Sequence, residues 1–152
     1  MAAPLTLEAQ VELKSPAHKF WKNIRDSTIL FPKIFPDQYK SIEVLEGDGK
    51  CPGSVRLIHY GEGSPIVKVS KERIEEADEG KQFVTYRVID GDLLKYYKDF
   101  KGTINVISQG EGSLVKWSCI FEKASDEVPD PHVVKDFAIL NFKEVDEFTL
   151  KE

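Results

Sequence analysis

Cysteine is scarce in this sequence, which contains only Cys51 and Cys119. Two thiols that lie far apart are too few for a structural zinc site, and no histidine stands at ligand spacing from either of them. The three histidines, His18, His59 and His132, are scattered along the chain and are typical of surface or rim positions. The sequence therefore predicts no metal ion and no cofactor, and it is typical of an intracellular protein with reduced thiols.

An excess of positive charge is also missing, since 26 acidic residues outnumber 21 basic ones and leave a net charge of −5. Nucleic-acid partners require a basic surface, so we expect none here. The N-terminal residues carry acidic and polar groups instead of the apolar core of a secretory signal. No apolar run approaches the roughly 20 residues of a membrane span. These absences predict a soluble, cytoplasmic protein.

Sequence motifs of the common enzyme classes are absent as well. The chain has no nucleophile elbow, no Walker lysine, no metal box and no acid pair at diagnostic spacing. Its glycine-rich stretch "EGDGKCPGSVRLIHYGEG" (residues 46–63) holds five of the ten glycines. A phosphate loop follows a parallel strand and opens a helix, whereas this stretch lies between two predicted antiparallel strands and contains Pro52. We interpret it as a rigid connection between strands.

Regular elements are present throughout, and at 152 residues the chain predicts one domain, residues 1–152, with a buried core. Residues 5–14 alternate apolar and polar side chains, which predicts a half-buried strand. Ser15 and Pro16 then suit the start of a helix, with Ser15 as its cap, over "AHKFWKNIRD". The segment "STILFPKIFPD" predicts a second short helix or a pair of turns, interrupted by Pro32 and Pro36.

Six further segments predict strands joined by tight turns. They are "YKSIEVLEGDG", "GSVRLIHYGEG", "SPIVKVSKERIEEADEGK", "QFVTYRVIDGD", "YYKDFKGTINVISQGEG" and "SLVKWSCIFEKAS". The last segment predicts a long amphipathic helix that starts at Asp130 and Pro131, with Asn141 and Glu144 expected to reach its rim. The fold class is α+β, with a seven-stranded antiparallel sheet whose apolar face is covered by this helix. One helix does not fill the hollow of so wide a sheet, so we expect an internal cavity.

Four segments resemble a known plant family. They are "LEGDGKCPGSV" (Leu45–Val55), "VIDGDLLKYYKDF" (Val88–Phe100), "SLVKWSCIFEK" (Ser113–Lys123) and the closing "KEVDEFTLKE". In this order they resemble the birch-pollen-allergen and pathogenesis-related class-ten superfamily, and within it the major latex proteins. "DGKCP" after Gly47 is closer to the class-ten branch, whereas Trp117 and "IDGDL" favour the latex proteins. The resemblance implies the helix-grip fold, a curved sheet gripping a C-terminal helix around an internal hydrophobic cavity.

Strand alternation predicts which side chains face the interior. In the third strand the pattern leaves two faces open, Val55, Leu57 and His59 or Arg56, Ile58 and Tyr60, and the resemblance favours the second. The alternation places Val67 and Val69, then Val84, Tyr86 and Val88, then Val115, Trp117 and Cys119 on the inner face. The predicted ligand-binding set is Arg56, Ile58, Tyr60, Val67, Val69, Val84, Tyr86, Val88, Val115, Trp117, Cys119, Phe137 and Asn141.

The residues alone are compatible with either a dry core or a cavity, and the resemblance favours a cavity for a small hydrophobic molecule. The first hypothesis is a carrier for a steroid, fatty acid, flavonoid, terpenoid or hormone-like metabolite, related to defence or stress. The alternative is a cofactor-free cyclase or condensing enzyme of specialised metabolism, with Tyr60, Tyr86 and Arg56 as candidate catalytic residues and Glu72 as a further group capable of acid–base chemistry. The lysine and carboxylate set of the alkaloid-condensing branch does not map onto this chain.

A ligand-gated hormone receptor is a third hypothesis. "YGEGSP" (residues 60–65) occupies the place of one receptor gate but lacks the apolar Leu-Pro latch that such receptors carry. The turns "GEGSP" and "DGDLL" are nevertheless predicted to meet at one end of the sheet, where they can cover a cavity mouth. The absence of catalytic motifs favours a non-enzymatic role, and we expect a monomer or weak dimer.

Overall fold

The computed structural model describes residues 4–64 and 67–152. Residues 1–3, and Pro65 and Ile66 of the predicted fourth strand, lie outside the described residues. The elements are β1 (Leu5–Leu13), α1 (Ala17–Arg25), α2 (Ser27–Ile34), β2 (Tyr39–Glu46), β3 (Val55–Tyr60), β4 (Val69–Asp78), β5 (Phe83–Gly91), a 3₁₀ turn (Asp92–Lys95), β6 (Tyr97–Gln109), β7 (Gly112–Lys123) and α3 (His132–Leu150). Within the described ranges, no helix is both long enough and apolar enough to cross a membrane.

The seven strands form one antiparallel sheet in the order β1-β7-β6-β5-β4-β3-β2. Each strand from β2 to β7 therefore pairs with its neighbour in sequence, and β1 joins the far edge against β7. Register shifts interrupt the pairing of β2 with β3, of β4 with β5 and of β6 with β7. Such irregularities bend the strands that carry them. This arrangement confirms the predicted α+β helix-grip fold.

The helices bury their apolar faces against the inner face of the sheet. In β7 the side chains of Val115, Trp117 and Phe121 are buried, while those of the alternate positions are more accessible. From α1, Phe20 is fully buried and its ring centroid lies 6.3 Å from that of Phe142 in α3. The C-terminal half of α3 and helix α1 thus share one packed core over β1, β6 and β7.

A buried carboxylate fixes the position of α3. Asp146 accepts hydrogen bonds from the backbone N–H of Lys14 at 3.1 Å and of Ser15 at 2.9 Å, and from the Ser15 hydroxyl at 2.5 Å. In turn Ser113 of β7 donates to the Ser15 carbonyl at 2.9 Å. The prediction that Ser15 caps α1 is wrong, since the capping position is Pro16 and no side chain bonds there. The buried carboxylate of Asp146 requires donors, and Ser15 supplies two of them.

Candidate ligand-binding cavity

An internal space separates the sheet from the N-terminal half of α3. About 160 Å³ is open inside it, and the residues of α3 that line it lie between Val133 and Phe142. Apolar protein cavities of roughly 150 Å³ take up benzene-sized molecules. The space is therefore large enough for at least one ring of an organic ligand.

Most of the predicted ligand-binding side chains border this space. In β3 the inward face is the one that carries Arg56, Ile58 and Tyr60, and the β5 face carries Val84, Tyr86 and Val88. The complete group of predicted residues that line the cavity is Arg56, Ile58, Tyr60, Val67, Val84, Tyr86, Val88, Trp117, Phe137 and Asn141. Strand periodicity therefore brings these side chains to one place, and their contact with a ligand stays a prediction.

Three of the predicted residues do not line the cavity: Val69, Val115 and Cys119. Strand β4 begins only at Val69, so the alternation assumed from Val67 onward does not hold, and the inner face is formed by Ser70, Glu72 and Ile74. Val115 and Cys119 do lie on the buried face of β7, at 0% and 1% exposure. They pack within the dry part of the core instead of bordering the open space.

Aromatic side chains missed by the sequence analysis form one wall. The ring of Tyr39 lies 5.2 Å from Phe31, 5.3 Å from Tyr60 and 5.9 Å from Phe137, measured between centroids. Tyr39 and Ile42 both line the cavity although they are three positions apart, because a register shift falls between Tyr39 and Ser41. Simple alternation does not find such a pair. The sequence of α2 shows no clear apolar face, so it did not indicate that Phe31 would line the cavity either.

A buried ion pair crosses the cavity wall from β3 to β4. Arg56 and Glu72 are partners in strand register, and Nη2 of Arg56 donates to Oε1 of Glu72 at 3.2 Å. Nη1 of Arg56 donates to the Ser27 hydroxyl at 3.0 Å. The two charged side chains are only 12% and 10% exposed. Burial raises the pKa of the Glu72 carboxyl, and the positive charge of Arg56 opposes part of that rise.

The tyrosines of the cavity are held in their neutral form. Burial is the main cause that raises the pKa of Tyr39, Tyr60 and Tyr86, and the charge of Glu72 adds to it in each case. These phenols can therefore donate or accept hydrogen bonds but do not ionise at physiological pH. The hydroxyl of Tyr86 also accepts a long hydrogen bond, 3.5 Å, from Nε1 of Trp117.

Asn141 faces the cavity from α3, and the expectation that it reaches the rim is wrong. The residue is 3% exposed, and its Nδ2 donates to the carbonyl of Phe137 one turn earlier at 2.5 Å. Its Oδ1 is buried without a hydrogen-bond partner, as is Nε of Arg56. Glu144 accepts a hydrogen bond from Gln38 at 2.9 Å. Among the described residues that line the cavity, these atoms of Asn141 and Arg56 are the two fully buried side-chain polar atoms without a hydrogen-bond partner.

The glycine-rich loop directs its polar groups toward its own carboxylate. Oδ1 of Asp48 accepts hydrogen bonds from the backbone N–H of Lys50 and of Cys51, both at 2.8 Å, and from the Ser54 hydroxyl at 3.2 Å. Donors that would cradle a phosphate are therefore already occupied. Gly47 adopts a φ of +73°, which suits glycine and closes the turn. The loop connects β2 to β3 as the sequence indicated, and hydrogen bonds to Asp48 link its residues.

Each of the two turns predicted to cover the cavity mouth contributes a residue that borders the cavity, and Pro65 of the first turn lies outside the described residues. Oδ2 of Asp92 accepts hydrogen bonds from the backbone N–H of Lys68 at 2.9 Å and of Val69 at 3.1 Å. Ser64 and Leu93, one from each turn region, both line the cavity.

In residues 4–64 and 67–152, no group of histidine, cysteine or carboxylate side chains is arranged to hold a metal ion.

Comparison with known proteins identifies relatives that match nearly the whole chain. Residues 2–152 match the family described as Pathogenesis-related protein Bet v 1 family. The chain is 58% identical to MLP-like protein 423 of Arabidopsis thaliana over 146 residues, which cover 96% of this chain and 94% of that protein. The crystal structure of ginseng major latex-like protein 151 from Panax ginseng superposes with a TM-score of 0.89 at 27% identity, covering 98% of this chain and 99% of the other.

A further match concerns the fold alone. Norcoclaurine synthase from Thalictrum flavum, in complex with dopamine and hydroxybenzaldehyde, superposes with a TM-score of 0.73 at 17% identity. The match covers 99% of this chain and 88% of the other. The same sheet and helix arrangement therefore occurs in a protein named as an enzyme.

Proposed function

Because the chain belongs to the pathogenesis-related protein Bet v 1 family, with 58% identity to a major latex-like relative, we propose that it binds and carries a small hydrophobic metabolite in the cavity under α3. The candidate classes are steroids, fatty acids, flavonoids, terpenoids and hormone-like compounds. In this proposal residues 1–152 act as one ligand-binding domain, as a monomer or weak dimer in the cytoplasm, with a role in defence or stress.

The observation that carries the proposal is the composition of the cavity wall. Apolar and aromatic side chains from β3, β5, β7 and α3 surround the open space, and a small number of polar groups interrupt them. Binding sites for small organic molecules have this composition, in which apolar surface supplies affinity and a few polar groups set orientation. The rings of Tyr39, Tyr60 and Phe137 offer flat surfaces for such a molecule.

Filling the cavity from α3 tests whether it is a binding site. Ala138 is half-buried and lines the space, so Ala138→Leu adds three carbon atoms there with little loss of helix propensity. We expect the affinity for the neutral fluorescent probe N-phenyl-1-naphthylamine to fall at least tenfold, while the midpoint of thermal unfolding stays unchanged or rises. In a tightly packed core the same substitution would lower stability by about 1–3 kcal/mol.

The control is Ala124→Leu, since Ala124 is exposed beyond the end of β7. This variant is expected to bind the probe as the wild type does. Displacement of the probe from the wild type by a sterol or a flavonoid then identifies the ligand class. Failure of the wild type to bind the probe at micromolar concentration would refute the carrier proposal.

The Arg56 and Glu72 pair, close to neutral phenols in the same cavity, favours a second candidate, a cofactor-free cyclase or condensing enzyme. An enclosed acid, base and phenol set can shield a reactive intermediate from water and direct ring closure. Among the described residues that line the cavity there is no lysine, and the carboxylate is Glu72. The similar fold of norcoclaurine synthase is compatible with this candidate but adds nothing about substrate.

The enzyme candidate is tested with an amine and aldehyde pair that closes a ring slowly in buffer. Catalysis predicts a product distribution, in particular an enantiomeric excess, that buffer alone does not produce. Tyr60→Phe, Tyr86→Phe and Arg56→Ala should lower the rate, and Tyr96→Phe serves as the control because Tyr96 is 43% exposed. Equal products with protein and with buffer would exclude this activity for the pair tested.

A further inference from the structure

The charged groups of the cavity wall are balanced but incompletely hydrogen-bonded. Arg56 uses Nη1 and Nη2 for Ser27 and Glu72, while its buried Nε has no partner in the described structure. Glu72 receives its one hydrogen bond, from Arg56, through Oε1. An ionised carboxylate offers about four acceptor positions. The pair is thus electrically neutral yet still has hydrogen-bonding capacity inside the cavity.

The remaining charge at the edge of the cavity is also compensated. Arg25 lines the space, but its Nε donates to Oε1 of Glu79 at 2.7 Å and its Nη2 to the carbonyl of Lys50 at 2.7 Å. Oε2 of Glu79 additionally accepts from Nε1 of Trp21 at 2.6 Å. No unpaired full charge therefore faces the open space among the described residues.

An ionic ligand has no counter-charge in such a wall. A carboxylate entering beside Arg56 meets the Glu72 carboxylate 3.2 Å from the guanidinium, and a cationic amine entering beside Glu72 meets the guanidinium itself. Burying an uncompensated charge in a low-dielectric space is strongly unfavourable. A hydroxyl group carries no charge and can donate to Oε2 of Glu72, which receives no hydrogen bond within the described structure, so it suits this wall.

From this arrangement we infer that the cavity selects uncharged, hydroxylated ligands and rejects carboxylates and protonated amines of the same shape. The inference rests on the proposed carrier function and narrows its ligand classes, since it removes ionised fatty acids and retains sterols, flavonoids and terpenoid alcohols. Arg56 and Glu72 set this selectivity together, because each neutralises the other where the ligand's polar group enters.

Three probes that share one naphthalene body test the selectivity: 2-naphthol, 2-naphthoate and 2-(aminomethyl)naphthalene. At pH 7 the first is neutral, the second an anion and the third a cation. Isothermal titration calorimetry of the wild type should show at least tenfold tighter binding of 2-naphthol than of either ion. Repeating the titrations in two buffers of different ionisation enthalpy gives the number of protons taken up on binding. We expect binding of 2-naphthoate to take up about one proton and binding of 2-naphthol to take up none.

Glu72→Gln removes one charge of the pair and keeps the shape of the side chain. Arg56 then lacks its counter-ion, so the preference for 2-naphthol over 2-naphthoate should shrink at least tenfold and the proton uptake should disappear. Glu75→Gln is the matched control, because Glu75 lies in the same strand on the opposite face and pairs with Arg87 at 2.7 Å. It should leave the preference unchanged.

The outcomes separate the two proposals. If N-phenyl-1-naphthylamine and all three naphthalene probes fail to bind the wild type, the carrier proposal and this inference both fall. If 2-naphthoate binds as tightly as 2-naphthol and takes up no proton, the inference is wrong while the carrier proposal survives. The proton count needs only the wild-type protein, so a Glu72 variant that does not fold still leaves a decisive measurement.

Discussion

Gly102 lies directly beneath the ring of Tyr86, and we expect a single added methyl group there to push that ring into the cavity. The two residues are partners in the pairing of β5 with β6. A Cβ atom at Gly102 would stand 2.5 Å from both Cζ and the hydroxyl oxygen of Tyr86, whereas ordinary contact begins at 3.4 Å. In Gly102→Ala the ring must therefore move by about 1 Å. Overpacking of this kind destabilises by about 1–3 kcal/mol.

Urea denaturation followed by tryptophan fluorescence measures the effect of Gly102→Ala. With a slope of about 2 kcal/mol per molar urea, a loss of about 2 kcal/mol lowers the unfolding midpoint by about 1 M. Binding of N-phenyl-1-naphthylamine should weaken in parallel, because the displaced ring occupies the space of the ligand. Gly80→Ala in the exposed β4–β5 turn is the control, and surface changes of this type stay within about 0.5 kcal/mol.

A double variant isolates the contact between Gly102 and Tyr86. Once Tyr86→Ala has removed the ring, Gly102→Ala should cause little further loss, so that the two changes couple by about 1–3 kcal/mol. Strict additivity of the two single effects would refute the reasoning, since it would mean that the added methyl group meets something other than the ring.

Two further predictions concern carboxylates outside the cavity. Asp146→Ala should lower the free energy of unfolding by about 3 kcal/mol in urea denaturation, because it leaves the backbone N–H groups of Lys14 and Ser15, between β1 and α1, without their acceptor. Asp136→Ala on the exposed face of α3 should have little effect, and equal losses would contradict this role. Backbone hydrogen bonds from Cys51 and Lys50 hold the pKa of Asp48 well below its usual range. The contribution of Asp48 to stability is therefore present above its unfolded pKa of about 3.9 and is lost as the pH falls through its folded pKa. In acid titration Asp48→Asn should therefore show a weaker loss of stability below pH 4 than the wild type, and identical curves would contradict the assignment.

Much of the fold was predictable because the patterns involved are local. The alternation in β1 and β7 reports burial on one face, so strand and face follow from neighbouring residues alone. Prediction failed where a boundary or a distant partner decides the outcome. Val69 was assigned to the wrong face because the start of β4 is set by its pairing with β3, and His59↔Val69 is the last pair of that ladder. Ser15 was assigned to a cap because Asp146 is 131 residues away.

In the candidate site too, local patterns identified some residues, while residues placed by distant partners were missed. Arg56 and Tyr86 were identified from strand periodicity and family resemblance, whereas Tyr39 and Phe31 were missed because a register shift and a short proline-containing helix place them. The pairing of Arg56 with Glu72 could not be predicted from the sequence either, because the prediction would require the register between β3 and β4. Each residue can be read from the sequence, but which residue it contacts depends on the tertiary structure.

By itself the amino-acid sequence determined the order of strands and helices, the class of the fold and, with its family resemblance, most of the inward-facing side chains. Tertiary structure alone decided which of those side chains border open space and which are packed solid, so that Trp117 lines the cavity while Val115, two residues earlier on the same face, does not. The physical reason is that the gap between sheet and helix depends on where α3 is held. That position is set by contacts such as Asp146 with Ser15, which join segments far apart in the chain and leave no local pattern.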